Sequence, residues 1–186
     1  MRNVFIIIIC LSLVFQDLRS QEPTTNPDRI MLSIPGNPAT TRAVSWRTSF
    51  EDTVSLGEIA LVNAAPVLEK YKITVTGTFA PWEDNSQLAM GHKVIFENLE
   101  PGTKYAYRVG NGVNWSEWFH FITSSDSIKP FSFLYFGDVQ SNIKSYGSRI
   151  LRQAYSHFPE ADFMLFAGDL VNRSEENYWS DFFYAG

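Results

Sequence analysis

Two apolar runs, each ending in Gly-Asp, decide the fold of the C-terminal part of the chain. They read FSFLYFGD at residues 131–138 and ADFMLFAGD at residues 161–169. Nearly continuous apolar runs of this length are typical of parallel strands that are buried on both faces. Because open α/β sheets bind their ligands at the carboxyl ends of the strands, Asp138 and Asp169 are predicted to lie at one site.

The segment between the two runs has the period of a helix. Apolar residues recur at three- and four-residue steps from residue 142 to residue 158, and Pro159 ends the pattern. Strand, helix and strand together predict a βαβ unit. The predicted apolar face of the helix consists of Ile143, Tyr146, Ile150, Leu151, Ala154, Tyr155 and Phe158.

A second helix is predicted after Ser174. This serine would cap the helix, and Glu175 and Glu176 would lie in its first turn, where the helix dipole favours acidic residues. Its predicted buried stripe consists of Tyr178, Trp179, Phe182 and Phe183.

The preceding part of the chain has the pattern of an all-β domain. Short alternating runs separated by turn signals predict about seven strands of a fibronectin type III-like sandwich. Tyr105 stands where sandwich domains have their corner tyrosine, and Trp46 is predicted to be a core residue. The predicted strands span residues 29–34, 42–48, 57–62, 70–76, 92–97, 104–109 and 115–123.

Composition and charge limit the possible functions. The chain has 186 residues, of which 45% are hydrophobic and 15% aromatic, enough for packed cores. A net charge of −5, with the basic residues scattered along the sequence, argues against a nucleic-acid partner. Cys10 is the only cysteine, and cleavage of an N-terminal export signal would remove it. The mature chain is therefore expected to have neither disulfide bonds nor thiol chemistry.

Residues 1–20 have the pattern of an export signal. Arg2 precedes an apolar stretch at residues 4–14, which is too short for a stable membrane span. Cleavage after Ser20 predicts a secreted or periplasmic protein with no stable membrane span; a short N-terminal anchor is the alternative. The predicted order is then a linker at residues 21–28, a sandwich domain at residues 29–124 and an α/β domain at residues 130–186.

The two aspartates carry the predicted chemistry. Glycine beside a carboxylate lets a cation and a bulky anion come close to the backbone. A carboxylate can bridge two metal ions, and such a metal pair activates water and binds a phosphoryl group. Asp138 and Asp169 fit the roles of terminal and bridging ligand. The alternative is that each aspartate only caps the turn after its strand.

Together these features resemble the purple acid phosphatase-like metallophosphoesterases of the calcineurin-like phosphoesterase superfamily. The resemblance is to the N-terminal portion of such a protein, an all-β fibronectin type III-like sandwich followed by the start (βαβ) of an α/β metallophosphoesterase domain. The matching segments are Ala43–Thr48, Leu99–Gly110, Trp115–Phe119 and the two Gly-Asp steps at Gly137-Asp138 and Gly168-Asp169.

The resemblance implies a role for each site residue. Asp138 would ligate one metal ion, and Asp169 would bridge two. Gln140 stands where the superfamily usually has His or Gly, and Asn172 stands where purple members have the tyrosine that colours their iron. The chain is therefore expected not to be purple. Gln140 is a candidate ligand through its amide oxygen, the alternative being that it only hydrogen-bonds to a ligand. Asn172 is a further candidate ligand, and the expected cofactors of the full-length protein are two Fe, Zn or Mn ions.

Arg173 is a candidate phosphate contact, because a guanidinium binds phosphate oxygens in bidentate fashion. The alternative is a solvated arginine at the start of a helix. The implied function is exported, metal-dependent hydrolysis of small phosphate monoesters by a two-metal-activated hydroxide; phosphodiester substrates stay open. The later blocks of the superfamily, including an Asn-His pair, do not occur in this sequence, so the fragment is expected to lack full activity.

The histidines and tryptophans complete the set of candidate residues. None of the three histidines stands at a ligand position of the superfamily: His92 and His120 fall in the predicted sandwich, and His157 falls near a helix end. Aromatic residues outside the core pattern motivate an alternative function, a non-catalytic glycan- or protein-binding module with a remnant phosphoesterase segment. They are Trp82, Trp115 and Trp118.

Overall fold

The computed structural model describes residues 22–62, 68–83 and 87–186. The predicted signal at residues 1–20 lies outside these ranges. Within them the chain forms a β-sandwich followed by an α/β unit. None of the helices in these ranges has the length and apolar character that a membrane crossing requires.

The sandwich consists of two four-stranded antiparallel sheets, with strand orders β1-β2-β6-β5 and β4-β3-β7-β8. A short helix, α1, connects β3 and β4. The strands and helix are β1 (Asp28–Ser33), β2 (Arg42–Ser49), β3 (Leu56–Leu61), α1 (Leu68–Tyr71), β4 (Ile73–Thr76), β5 (Thr78–Glu83), β6 (Leu88–Phe96), β7 (Lys104–Gly110) and β8 (Phe119–Ile122). The predicted fibronectin-like sandwich is therefore confirmed.

The core lies between the two sheets and follows the alternation of the strands. Trp46 is buried in it, as predicted, and packs with apolar residues of both sheets. The Tyr105 hydroxyl accepts a hydrogen bond from the backbone N–H of Glu100 at 2.9 Å, which is the predicted tyrosine corner. The other fully or largely buried members are Val44, Ile59, Val94, Phe96, Leu99, Tyr107, Val109 and Phe121.

The strand bounds differ from the prediction by more than one residue at four places. The strand predicted at residues 70–76 is reduced to β4, because α1 extends to Tyr71. Strand β5 was not predicted, because it contains Pro81; a proline is tolerated there since β5 is an edge strand. Its partner β6 begins at Leu88 rather than at residue 92. The strand predicted at residues 115–123 is shorter, and Trp115 contributes only an isolated bridge to Gly110.

The α/β unit contains β9 (Phe133–Gly137), a π-helical turn (Ile143–Gly147), α2 (Ser148–His157), β10 (Phe163–Ala167) and α3 (Glu176–Ala185). Strands β9 and β10 are parallel and in register from the Phe133–Phe163 pair to the Gly137–Ala167 pair. The predicted βαβ order is confirmed.

Only one face of this two-stranded sheet is covered by the described residues. Phe136 and Phe166 stack at 5.4 Å and pack with Leu151 of α2 and Phe182 of α3. On the other face Tyr135 is 63% exposed. The apolar run at residues 131–136 is typical of a strand buried on both faces, but a sheet with only two of its strands in the sequence also predicts an uncovered apolar face. The described residues show that uncovered face.

Two predictions about the helices are also wrong in detail. A π-helical turn precedes α2, and the Gly147 N–H donates to the Asn142 carbonyl. This turn shifts the phase of the helix, so Ile143 and Leu151 are buried, whereas Tyr146, Ile150, Tyr155 and Phe158 of the predicted apolar face are exposed. Helix α3 begins one residue later than predicted, with Glu175 rather than Ser174 in the capping position. Phe182 is buried, while Tyr178, Trp179 and Phe183 are half-buried.

Candidate metal site

Asp138 and Asp169 lie side by side at the carboxyl ends of β9 and β10. The Asp169 backbone N–H donates to Oδ1 of Asp138 at 3.1 Å, and the Asp138 N–H donates to the Ala167 carbonyl at 3.0 Å. Hydrogen bonds therefore join the two Gly-Asp steps at the carboxyl edge of the sheet, where the sequence predicts a ligand site.

Local backbone conformation makes this approach possible. Gly168 has φ of 82°, in the left-handed region that favours glycine. A Cβ at Gly168 would overlap the Asp138 carboxylate. Asp138 itself has φ of 42°, which aspartate tolerates better than most residues. The glycine of the second Gly-Asp step thus provides the space that the carboxylate of the first step occupies.

The other predicted site residues lie on the loops that follow the two strands. Gln140 is half-buried after β9, and Asn172 is exposed on the loop before α3. The side chain of Arg173 is 69% exposed, and its Nη1 lies 3.7 Å from Oε1 of Glu175. An exposed ion pair of this length contributes little stability, so the guanidinium can leave Glu175 at little cost in free energy.

The fit to a metal ion is partial. Two exposed carboxylates at one sheet edge are suitable oxygen ligands for a divalent cation. Among the described residues, however, no group of three or more His, Cys, Asp or Glu side chains could hold a metal ion. Asp138 and Asp169 would therefore need further ligands to complete a metal site.

The histidines lie away from this pair. His92 is buried in the sandwich between Thr48 and Ser55, and His120 is exposed on β8. His157 lies at the end of α2, and its Nδ1 is 2.8 Å from the Gln153 carbonyl oxygen. The three histidines thus lie in the sandwich and at a helix end, where the sequence predicts them.

A charged cluster joins the sandwich to the α/β unit, and sequence reasoning missed it. We call it the interunit cluster and define it as Asp28, Arg29, Arg47, Glu176 and Ser180. Glu176 is 2% exposed, although an acidic residue in the first turn of a helix is ordinarily solvated. The only signal in the sequence was Arg47, which follows the core residue Trp46 and so points away from the sandwich core.

A cleft of about 1600 Å³ runs along the same boundary. Its lining combines charged residues of the interunit cluster with apolar residues of β1, β8 and β10. Asp138 and Asp169 do not line it. The candidate metal site is therefore an open sheet edge and not this cleft.

Comparison with known families identifies the class of the chain. A family model described as the purple acid phosphatase N-terminal domain matches residues 27–123, more than half of the chain. The chain belongs to this family. No curated protein matches the chain.

The chain is also similar to solved structures. PhoD matches with a TM-score of 0.56 and 15% identity, over 90% of this chain and 37% of that chain. The likeness extends over both the sandwich and the α/β unit, and this chain spans little more than a third of the length of PhoD. Weaker matches include the fn3 domain of human contactin 1 (TM-score 0.40, 16% identity, 60% of this chain and 88% of that one). A redesigned β-sandwich protein matches with a TM-score of 0.36 and 23% identity, over 55% of this chain and 97% of that one.

Proposed function

We propose that this chain is the N-terminal part of an exported, metal-dependent phosphoesterase that hydrolyses small phosphate monoesters. Membership of a phosphatase family supports the reaction class. The observation that carries the proposal is the hydrogen bond from the Asp169 N–H to the Asp138 carboxylate, because it brings both Gly-Asp steps to one sheet edge.

Each site residue has a distinct proposed role. Asp138 and Asp169 bind metal through their carboxylates, and Gln140 and Asn172 are further candidate ligands through their amide oxygens. Arg173 binds a phosphate oxygen, for which it only has to leave its exposed partner Glu175. Bound Fe, Zn or Mn ions would supply Lewis acidity toward the phosphoryl group and a nucleophile near neutral pH. The chain's own contribution is to hold the two carboxylates together.

The alternative, a glycan- or protein-binding module, receives less support. The guanidinium carbon of Arg108 lies 4.7 Å from the ring centroids of both Trp115 and Trp118. Two of the three tryptophans that motivated a binding surface are thus engaged in cation–π contacts inside the sandwich.

Metal titration of the purified chain tests the proposal. We expect Mn²⁺ to bind, and Asp138→Asn or Asp169→Asn to weaken binding by at least about tenfold, because carboxylate charge attracts hard cations. Asparagine also tolerates the left-handed backbone of residue 138, so these substitutions change charge with little change of shape.

Asp162→Asn is the matched control for this titration. Asp162 precedes the same strand, β10, but lies at its opposite end, where its Oδ2 accepts the Ser132 N–H at 3.0 Å. Its substitution should leave Mn²⁺ affinity unchanged. Unaltered Mn²⁺ binding by an Asp138→Asn/Asp169→Asn double variant would refute the site. Hydrolysis of p-nitrophenyl phosphate, measured with the same variants, would extend the test to activity.

A further inference from the structure

The interunit cluster converges on one carboxylate. Oε1 of Glu176 accepts hydrogen bonds from Nη1 of Arg47 at 2.9 Å and from the Ser180 hydroxyl at 3.1 Å, and it also pairs with Arg29. The two arginines lie in β1 and β2 of the sandwich, whereas Glu176 and Ser180 lie in α3. A single side chain of the α/β unit is therefore held by two strands of the sandwich.

The arginines are themselves fixed within the sandwich. Arg47 forms a bidentate pair with Asp28, with Nε to Oδ1 at 2.9 Å and Nη2 to Oδ2 at 2.6 Å. Burial alone would lower the pKa of Arg47, but the hydrogen bonds and charges of Asp28 and Glu176 outweigh it and raise that pKa. Two carboxyl groups, Asp28 and Glu176, thus face two guanidinium groups, Arg29 and Arg47, within the cluster.

An irregularity in β1 directs Arg29 toward α3. The register of β1 against β2 shifts between Asp28 and Met31, and Arg29 has φ of 51°. Bulges of this kind redirect a side chain at a functional position. Here the guanidinium of Arg29 reaches Glu176, donates to the Ser180 hydroxyl at 3.0 Å and lies 5.3 Å from the Phe183 ring centroid.

The cluster fixes the far end of the loop that carries the candidate site. This loop, residues 168–175, contains Asp169, Asn172 and Arg173 and leads directly into Glu176. At its near end Gly168 and Asp169 meet the Asp138 carboxylate. We propose that Arg29 and Arg47 act as a clamp on Glu176, through which the sandwich positions the loop and holds Asp169 beside Asp138. Glu176 is thereby a positioning residue, and the part of this inference that concerns metal rests on the proposed function.

Amide hydrogen exchange of the whole chain tests the clamp without any metal. In Glu176→Gln, exchange of the Asp169 amide, which donates to Asp138, should rise by about tenfold or more, because the loop opens without global unfolding. Amides of β2 and β6 should keep their protection. Glu175→Gln is the matched control, since this neighbouring acid is exposed and pairs only weakly with Arg173. Equal loss of protection in the loop and the sandwich, or no loss in the loop, would overturn the proposal.

Mn²⁺ affinity gives the second readout, measured under conditions in which every variant is folded. We expect Glu176→Gln to weaken Mn²⁺ binding by about tenfold, the lower end of the effect of residues that orient metal ligands. Arg47→Met should weaken it similarly, and the double variant no further than Glu176→Gln alone, since both remove one interaction. Should Glu176→Gln fail to fold, Arg47→Lys replaces it, because lysine keeps the charge but loses the bidentate fork. If the wild-type chain binds no Mn²⁺, the metal site falls, and loop exchange alone decides the clamp.

Discussion

At the scale of single residues, His92 shows how a polar side chain is accommodated in the sandwich core. It is 3% exposed, and its ring stacks on Trp46 with centroids 5.0 Å apart. Its Nε2 lies 2.7 Å from the Thr48 hydroxyl, and its Nδ1 lies 2.7 Å from the Ser55 hydroxyl. Each hydroxyl also donates to a backbone carbonyl, Ser55 to Thr78 at 3.0 Å and Thr48 to Ser49 at 3.2 Å. The ring is thus enclosed by polar partners that are themselves held in place.

This arrangement predicts a loss of stability in acid. Burial lowers the pKa of His92, and the charge of Asp52 opposes this effect only in part. The unfolded chain takes up a proton below the ordinary histidine pKa of about 6.5, while the folded chain does not. The stabilising contribution is thus complete above about pH 6.5 and declines as the pH falls toward the folded pKa.

Urea unfolding near pH 7.5 and pH 5.5 measures the effect. We expect the midpoint of the wild-type chain to fall more between these pH values than that of His92→Gln, which lacks the titrating group. His120→Gln, an exposed substitution in β8, is the control and should behave as the wild-type chain. The prediction fails if His92→Gln and the wild-type chain lose the same stability on acidification.

At the scale of elements, two adjacent residues of β10, Leu165 and Phe166, lie on opposite faces of the sheet, of which only one is covered. Phe166 stacks on Phe136 and contacts Phe182 of α3 edge-on at 5.6 Å. Leu165 points to the opposite face and is exposed. Sequence alternation alone could not distinguish these faces, because the run FMLFA is apolar throughout.

We predict that substitution is costly at Phe166 and nearly neutral at Leu165. Phe166→Ala should lower the free energy of unfolding of the chain by about 2–3 kcal/mol, since it empties a packed but only partly buried position. Leu165→Lys should change it by no more than about 0.5 kcal/mol, since it alters only exposed surface. Circular dichroism during urea unfolding provides the measurement. A large cost for Leu165→Lys would mean that this face of β10 is covered.

Some features of the fold could be predicted from the sequence, and others could not. Trp46, the corner tyrosine Tyr105 and the two Gly-Asp steps were predictable, because each depends on local alternation, turn chemistry or the end of a strand. Strand β5 was not, because the penalty for Pro81 depends on whether the strand lies at a sheet edge. The boundaries of the predicted domains, and the metal-binding roles of Asp138, Asp169, Gln140 and Asn172, stay predictions.

At the scale of the whole molecule, the association of the two units depends on residues that are far apart in sequence. The burial of Glu176 could not be predicted, because it requires the irregularity at Arg29 and the outward face of β2 to meet the start of α3. Helix propensity and the helix dipole alone would leave this acid in solvent. The family match covers the sandwich, whereas the cluster links the sandwich to residues beyond residue 123.

The cluster should therefore make the two units unfold together. Glu176→Leu removes the carboxylate and leaves Arg29 and Arg47 desolvated without their shared partner, which costs about 3–5 kcal/mol in comparable buried pairs. Most of that cost falls on the α/β unit, because Arg47 keeps Asp28 within the sandwich. We expect calorimetry to show the α/β unit melting before the sandwich in Glu176→Leu, and the two melting in one transition in the wild-type chain and in Glu175→Leu. A single, merely shifted transition in Glu176→Leu would show that other contacts suffice to couple the units and that the ion pairs of Glu176 are dispensable.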